Sequence, residues 1–242
     1  YESSGRRSEP SGQRHGTLYD SGSLAQKRRH PDSAANAAPT RRAGTPPSQA
    51  LGRAPPAPKG AVDGRALTRQ ISKAGSAQEL LRLSAAHSAS LNHIHAANLW
   101  NKLGKQRDAS TPRHKEEVRR LLRRTVELMG SCEARNLSNI AHGLAKCRLV
   151  GLDVETGALF AAVAEATVRS GLRDFNPQNL ANTAWAFATA GQKAPALLDA
   201  IATAAVRGGL RGFNPQNLAN TAWAFATAGR AAPTLLDAIA TE

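Results

Sequence analysis

Seventeen residues, Phe175-Asn-Pro-Gln-Asn-Leu-Ala-Asn-Thr-Ala-Trp-Ala-Phe-Ala-Thr-Ala-Gly191, recur letter for letter from Phe213 to Gly229, at an offset of 38 residues. A period of that length marks a supersecondary unit too small to bury its apolar side alone, so each unit must stack on its neighbours. Two weaker copies come earlier. Asn136-Leu-Ser-Asn-Ile-Ala-His-Gly-Leu-Ala-Lys146 aligns at an offset of 43, and Ile94-His-Ala-Ala-Asn-Leu-Trp-Asn-Lys-Leu-Gly-Lys105 at a further 41. The residues in excess of 38 are expected in the connections between helices, where repeats take their insertions.

Each unit reads as two helices. Asn176 suits an N-cap, and Pro177 fits the first helical position, where its missing N–H costs nothing. Gly191 closes that helix. A second begins near Pro195, carries Leu198, Ile201, Ala202 and Ala205 at helical spacing, and stops at Gly208-Gly209-Leu210. Ser76-Ala-Gln-Glu79 is a capping box that opens an earlier helix. No run alternates with period two, so no strands are expected. The predicted architecture is all-α: a right-handed α-solenoid of antiparallel helix pairs over 73–242, truncated in its last repeat.

Residues 1–72 are written in a different composition. Ser, Gly, Pro, Arg and Ala dominate, Pro55-Pro-Ala-Pro58 is embedded, and the few large apolar residues follow no period. Such a segment cannot bury enough surface to offset its backbone entropy and is expected to be disordered. It suits a basic tail, the remains of an organellar targeting region or a plain solvated linker. Glu2, Glu9, Asp20 and Asp32 weigh against a transit peptide. Because the chain begins at Tyr1 and stops inside a repeat, it is expected to be a piece of a longer protein.

Charge narrows the partner. The chain of 242 residues carries a formal net charge of +14. Residues 1–70 hold 12 Lys/Arg against 5 Asp/Glu, and the remainder holds 20 against 13, so both halves contribute the same surplus. A polyanion is the expected partner, nucleic acid first among them. No run approaches the ~18 apolar residues of a membrane span. The two cysteines, Cys132 and Cys147, cannot frame a disulfide scaffold or a four-ligand zinc site.

The motif Leu-Ala-Asn-x-x-Trp-Ala-Phe-Ala on the first helix, at a period of 38, resembles the octotricopeptide repeat family of algal and dinoflagellate organelle proteins. The resemblance spans roughly 76–242 and is most specific over 134–242. The stretch with Leu91-Asn-His-Ile94 and Leu103-Gly-Lys105 is also similar to the helical region of FAST-kinase-like mitochondrial RNA regulators. Both resemblances imply a helical-pair array that binds organellar RNA, in chloroplast or mitochondrion, and acts in its processing, stability or translation. They also imply other organellar RNA-processing or ribosomal proteins as partners. A C-terminal RAP domain often accompanies such arrays, and nothing in this sequence matches one.

On a wheel of about 100° per residue, Leu180, Thr183, Ala184 and Phe187 form a stripe expected to pack on the second helix of the pair. Opposite lie Gln178, Asn182, Trp185 and Thr189. The equivalent columns are Arg135, Asn139, His142 and Lys146 one unit earlier, Ile94, Asn98, Asn101 and Lys105 before that, and Gln216, Asn220, Trp223 and Thr227 in the last unit. Amides pair with Watson–Crick edges, Trp or His stacks on a base, and Lys or Arg meets phosphate, so these columns are the candidate site for single-stranded RNA. Asn recurs in all four units while its neighbours vary. Asn is therefore expected to be scaffold or common contact, and the variable positions to discriminate bases. The identical columns of the last two units should prefer the same nucleotide.

Structural roles compete with that assignment: the tryptophans could fill seams between units, and the asparagines could bond the backbone of the next unit. Over His114–Met129, Arg113, Arg119, Arg120, Arg123 and Arg124 form a basic arc opposite Val118, Leu121, Leu122, Val126 and Met129. Pairs between Glu116 and Arg120 and between Glu127 and Arg123 are expected there. No P-loop, Ser-His-Asp set, HExxH or carboxylate pair is present, and His93 and His95 face different sides of a helix. Catalysis, metal and cofactor are therefore not expected. The alternatives to RNA reading are a protein-binding scaffold and the targeting arm of a nuclease whose RAP domain lies outside the sequence.

Overall fold

A computed structural model describes residues 63–106 and 108–242. Among the described residues there are ten α-helices and no strand. They are α1 (Gly64–Lys73), α2 (Ala77–Ala86), α3 (His93–Leu103), α4 (Lys115–Glu127), α5 (Ala134–Cys147), α6 (Asp153–Arg169), α7 (Pro177–Thr189), α8 (Pro195–Arg207), α9 (Pro215–Thr227) and α10 (Pro233–Ala240). None is long and apolar enough to cross a membrane.

Local chemistry sets the helix starts. The Asn176 side chain accepts from the Asn179 N–H at 2.8 Å, and the Asn179 side chain accepts in return from the Asn176 N–H at 3.3 Å. Pro177 follows the cap at the first helical position. Asn214 caps α9 by accepting from the Asn217 N–H at 2.8 Å, and Pro215 follows at the first helical position. At α3 a histidine completes the box: Asn92 accepts from the His95 N–H, and His95 Nδ1 accepts from the Asn92 N–H. Ser76 caps α2 as expected, but Glu79 reaches past it to the Gly75 N–H at 2.9 Å. The helices α6 and α8 end in a shared turn 38 residues apart. In it Gly171-Leu172 and Gly209-Leu210 all adopt positive φ, and the two leucines hold that conformation with buried side chains. Left-handed backbone costs a branched residue free energy, which burial of the leucine offsets.

Packing gives the array a helical repeat-like architecture. The odd helices pack in succession, α1 on α3, α3 on α5, α5 on α7 and α7 on α9; the even helices do likewise from α2 to α10. One apolar core runs through the described residues, with Trp100, Phe160, Phe187 and Phe225 its largest fully buried side chains. The stripe of Leu180, Thr183, Ala184 and Phe187 is buried, as its period requires. Its helix nevertheless packs more extensively on α5 and α9 than on α8, the partner expected from the sequence. At the α3–α5 crossing a small residue permits close approach: a Cβ on Gly143 would lie 2.2 Å from the Trp100 carbonyl oxygen, so the two helices meet backbone to backbone.

Three expectations are corrected. The disordered segment cannot extend to residue 72, because α1 occupies Gly64–Lys73. Leu67 and Ile71, one turn apart, bury against the core, and Lys102 Nζ and His95 Nε2 reach the Ser72 and Gly64 carbonyls. Residues 1–62 lie outside the described residues. The charge pairs of α4 also differ from those expected: Glu116 pairs with Arg119 and Glu127 with Arg124, one turn at i,i+3 spacing, and Arg119 is held again by Glu155 of α6 at 2.6 Å. Val126, expected on the buried arc, is exposed.

Candidate nucleic-acid interface

The four columns occupy successive odd helices, and the structure leaves all of them open to solvent in whole or in part. In α3 the column is Ile94, Asn98, Asn101 and, just past the helix end, Lys105. In α5 it is Arg135, Asn139, His142 and Lys146. Gln178, Asn182, Trp185 and Thr189 follow in α7, and Gln216, Asn220, Trp223 and Thr227 in α9. The first position is exposed in every unit, and the asparagines in the second are half-buried. Because consecutive odd helices pack on each other, equivalent positions become lateral neighbours.

The third position makes this explicit. The His142 and Trp185 rings have centroids 5.1 Å apart and are tilted by 46°, and the Trp185 and Trp223 rings are 6.5 Å apart and tilted by 33°. Three rings from α5, α7 and α9 therefore form one continuous line. Trp185, between the other two, is half-buried, while Trp223 remains 46% exposed. Seam-filling and exposure thus coexist in the same row. Asn101 stands at the equivalent place in α3.

Several other asparagines of these units serve the helix starts, and those in the second position do not. Asn92, Asn176 and Asn214 cap, and Asn136 and Asn179 close capping boxes with their side chains. Among the described residues no hydrogen bond engages the amide groups of Asn98, Asn139, Asn182 or Asn220, so the expected alternative of a bond to the next unit's backbone is not made. A half-buried amide with both its donors and its acceptor free is suited to a base edge or a peptide group.

Charge is concentrated at one end. Lys105, Arg135 and Lys146 supply the cations of the first two columns, and the last two columns are neutral. Lys146 lies against the end of α3, where a Cβ on Gly104 would be 3.1 Å from its Cβ. Both lysines act on His142, whose imidazole is pushed down to about 4, first by burial and then by Lys146 and Lys105. At neutral pH it is an uncharged ring beside two ammonium groups, able to stack but not to hold a phosphate as a cation.

Sequence reasoning found the columns and missed what supports them. Trp100 shares the motif's spacing only loosely, and it is fully buried, its Nε1–H donating to Thr125 Oγ1 at 2.9 Å. His95 is absorbed by the α3 capping box. Cys147 is buried and its thiol is raised to about 12 by that burial. Among the described residues no group of three His, Cys, Asp or Glu could hold a metal ion. No protein-family model matches the chain, and no curated protein matches it.

Proposed function

We propose that the chain is an octotricopeptide-like, right-handed α-solenoid that binds single-stranded RNA along its odd helices and serves organellar post-transcriptional control. The observation that carries this is the aligned row His142–Trp185–Trp223 beside four unengaged asparagine amides. Rings supply stacking surface to any base, amides read base edges, and Lys105, Arg135 and Lys146 meet the phosphates. The protein acts here by binding, without chemistry of its own, and processing, stabilisation or translation would follow from what it recruits or shields. A specific observation favours a second function, a groove for a peptide: the columns of α7 and α9 carry no charge.

Selection of the full chain against a random single-stranded RNA library separates the two. RNA reading requires enrichment of a short motif with the same base at the two adjacent positions served by α7 and α9. A peptide groove gives no enriched motif. Two different bases at those positions would contradict the role given to the columns while leaving RNA binding intact.

A further inference from the structure

A second polar groove lies between α2 and α4, helices that carry none of the column residues, and it does not rest on the RNA proposal. Grooves recur along the even helices. Between α6 and α8 the walls are Ala161, Ala164, Val168, Ala194 and Leu197; between α8 and α10 the equivalent residues 38 positions on include Ala202, Val206, Ala232 and Leu235. The groove between α2 and α4 follows the same register with different chemistry. At the two residues before the helix and at its third and sixth positions, α8 has Lys193, Ala194, Leu197 and Ala200. In α4 these are Arg113, His114, Glu117 and Arg120, and Arg82 of α2 faces them. The mostly apolar linings of the other two grooves, which also hold Glu165, Arg169 and Lys193 in one and Asp199 and Arg207 in the other, give way here to three guanidinium groups beside Leu81 and Ala85.

These charges are not balanced locally. Arg113 is held by Asp108 at 2.9 Å and donates through Nε to the nearly buried His114 Nε2 at 3.1 Å. Arg82 and Arg120 have no carboxylate within salt-bridge reach among the described residues. Glu117, the one acid in the wall, is likewise unpaired and opposes any anion that enters. Guanidinium groups lining one groove repel one another and are relieved by an anion with several acceptor oxygens, which a planar fork can grip in bidentate fashion. The groove encloses about 390 Å³, a volume suited to a small ligand.

We propose that this groove is a binding site for a phosphate group of more than one charge, such as a free pyrophosphate or nucleoside diphosphate, or the terminal phosphate of an RNA. Arg82 and Arg120 grip the phosphoryl oxygens, and Arg113, braced by Asp108 and His114, closes the third side.

Calorimetric titration of the full chain with sodium pyrophosphate at low salt tests it. Wild type should saturate at one site. Arg82→Gln/Arg120→Gln should weaken binding about tenfold or more with unchanged helical circular dichroism. Glu117→Gln should strengthen it severalfold, which decides the matter even if the double variant misfolds. Preference for a 5′-phosphorylated over a 5′-hydroxyl oligoribonucleotide, lost in the double variant, would assign the RNA end as the source; tighter binding of pyrophosphate alone would assign the free anion. No saturable binding by wild type, or equal binding by wild type and the folded double variant, would overturn the proposal.

Discussion

The Trp185 and Trp223 rings, at identical positions of adjacent repeats, lie 6.5 Å apart, and only the second is broadly open to solvent. Repetition has placed the same residue in two environments, so the two substitutions should separate binding from stability. Trp223→Ala should cost RNA affinity about 1–3 kcal/mol, the usual contribution of one stacking platform, and leave the unfolding midpoint nearly unmoved. Trp185→Ala should cost affinity and lower the midpoint as well, because its ring also packs between His142 and Trp223. Anisotropy and urea unfolding on the same preparations check both.

Gly143 tests the packing of the odd helices. A methyl group there would sit 2.2 Å from the Trp100 carbonyl oxygen and 2.9 Å from the Asn101 nitrogen, both backbone atoms that cannot turn aside. Gly143→Ala should destabilise the protein by about 3 kcal/mol, as overpacking does when backbones must separate. The corresponding residue of α7 is already Ala186, so the effect belongs to the α3–α5 crossing. Chemical unfolding measures it.

The opposite sign is expected at Arg148. This exposed residue closes α5 with φ of +46°, a conformation glycine adopts freely. Arg148→Gly should stabilise the fold by about 1 kcal/mol, less whatever the more flexible unfolded chain takes back. A shift of the urea midpoint to higher concentration is the result to look for.

His142 makes stability depend on acid. Its folded value, about 4, lies below the ordinary 6.5, so the unfolded chain takes up the proton first as pH falls. Stability should be complete above pH 6.5 and decline between there and pH 4, by roughly 3 kcal/mol at most. His142→Asn, which places in α5 the residue α3 has at Asn101, should flatten that part of the profile. Thermal midpoints across the window supply the test.

What the sequence disclosed was periodic and local. Asn176-Pro177 announced the start of α7 through backbone chemistry that operates within one turn, and the period of 38 carried the same inference to α9. The wheel placed Asn182, Trp185 and their equivalents on one accessible side because helical geometry depends on no partner. What stayed hidden was lateral. That α7 packs chiefly on α5 and α9 has no local sign, and neither has the close α3–α5 crossing, where Gly143 meets a backbone 43 residues away in sequence. The pairing of Arg119 with Glu155 likewise spans two helices that no local rule connects. Helix α1 escaped notice because two apolar residues, Leu67 and Ile71, are too few to show a period, although their burial and the bonds from Lys102 and His95 anchor it.

The most direct test of RNA binding follows the emission of Trp185 and Trp223, with the buried Trp100 as a constant background, while a short single-stranded RNA is titrated at several salt concentrations. Bases stacked on the row should quench the emission saturably. With Lys105, Arg135 and Lys146 each neutralising one phosphate, the logarithm of affinity should fall against the logarithm of salt with a slope of about −2 or steeper. Emission unchanged by RNA, or a slope near zero, would contradict the account.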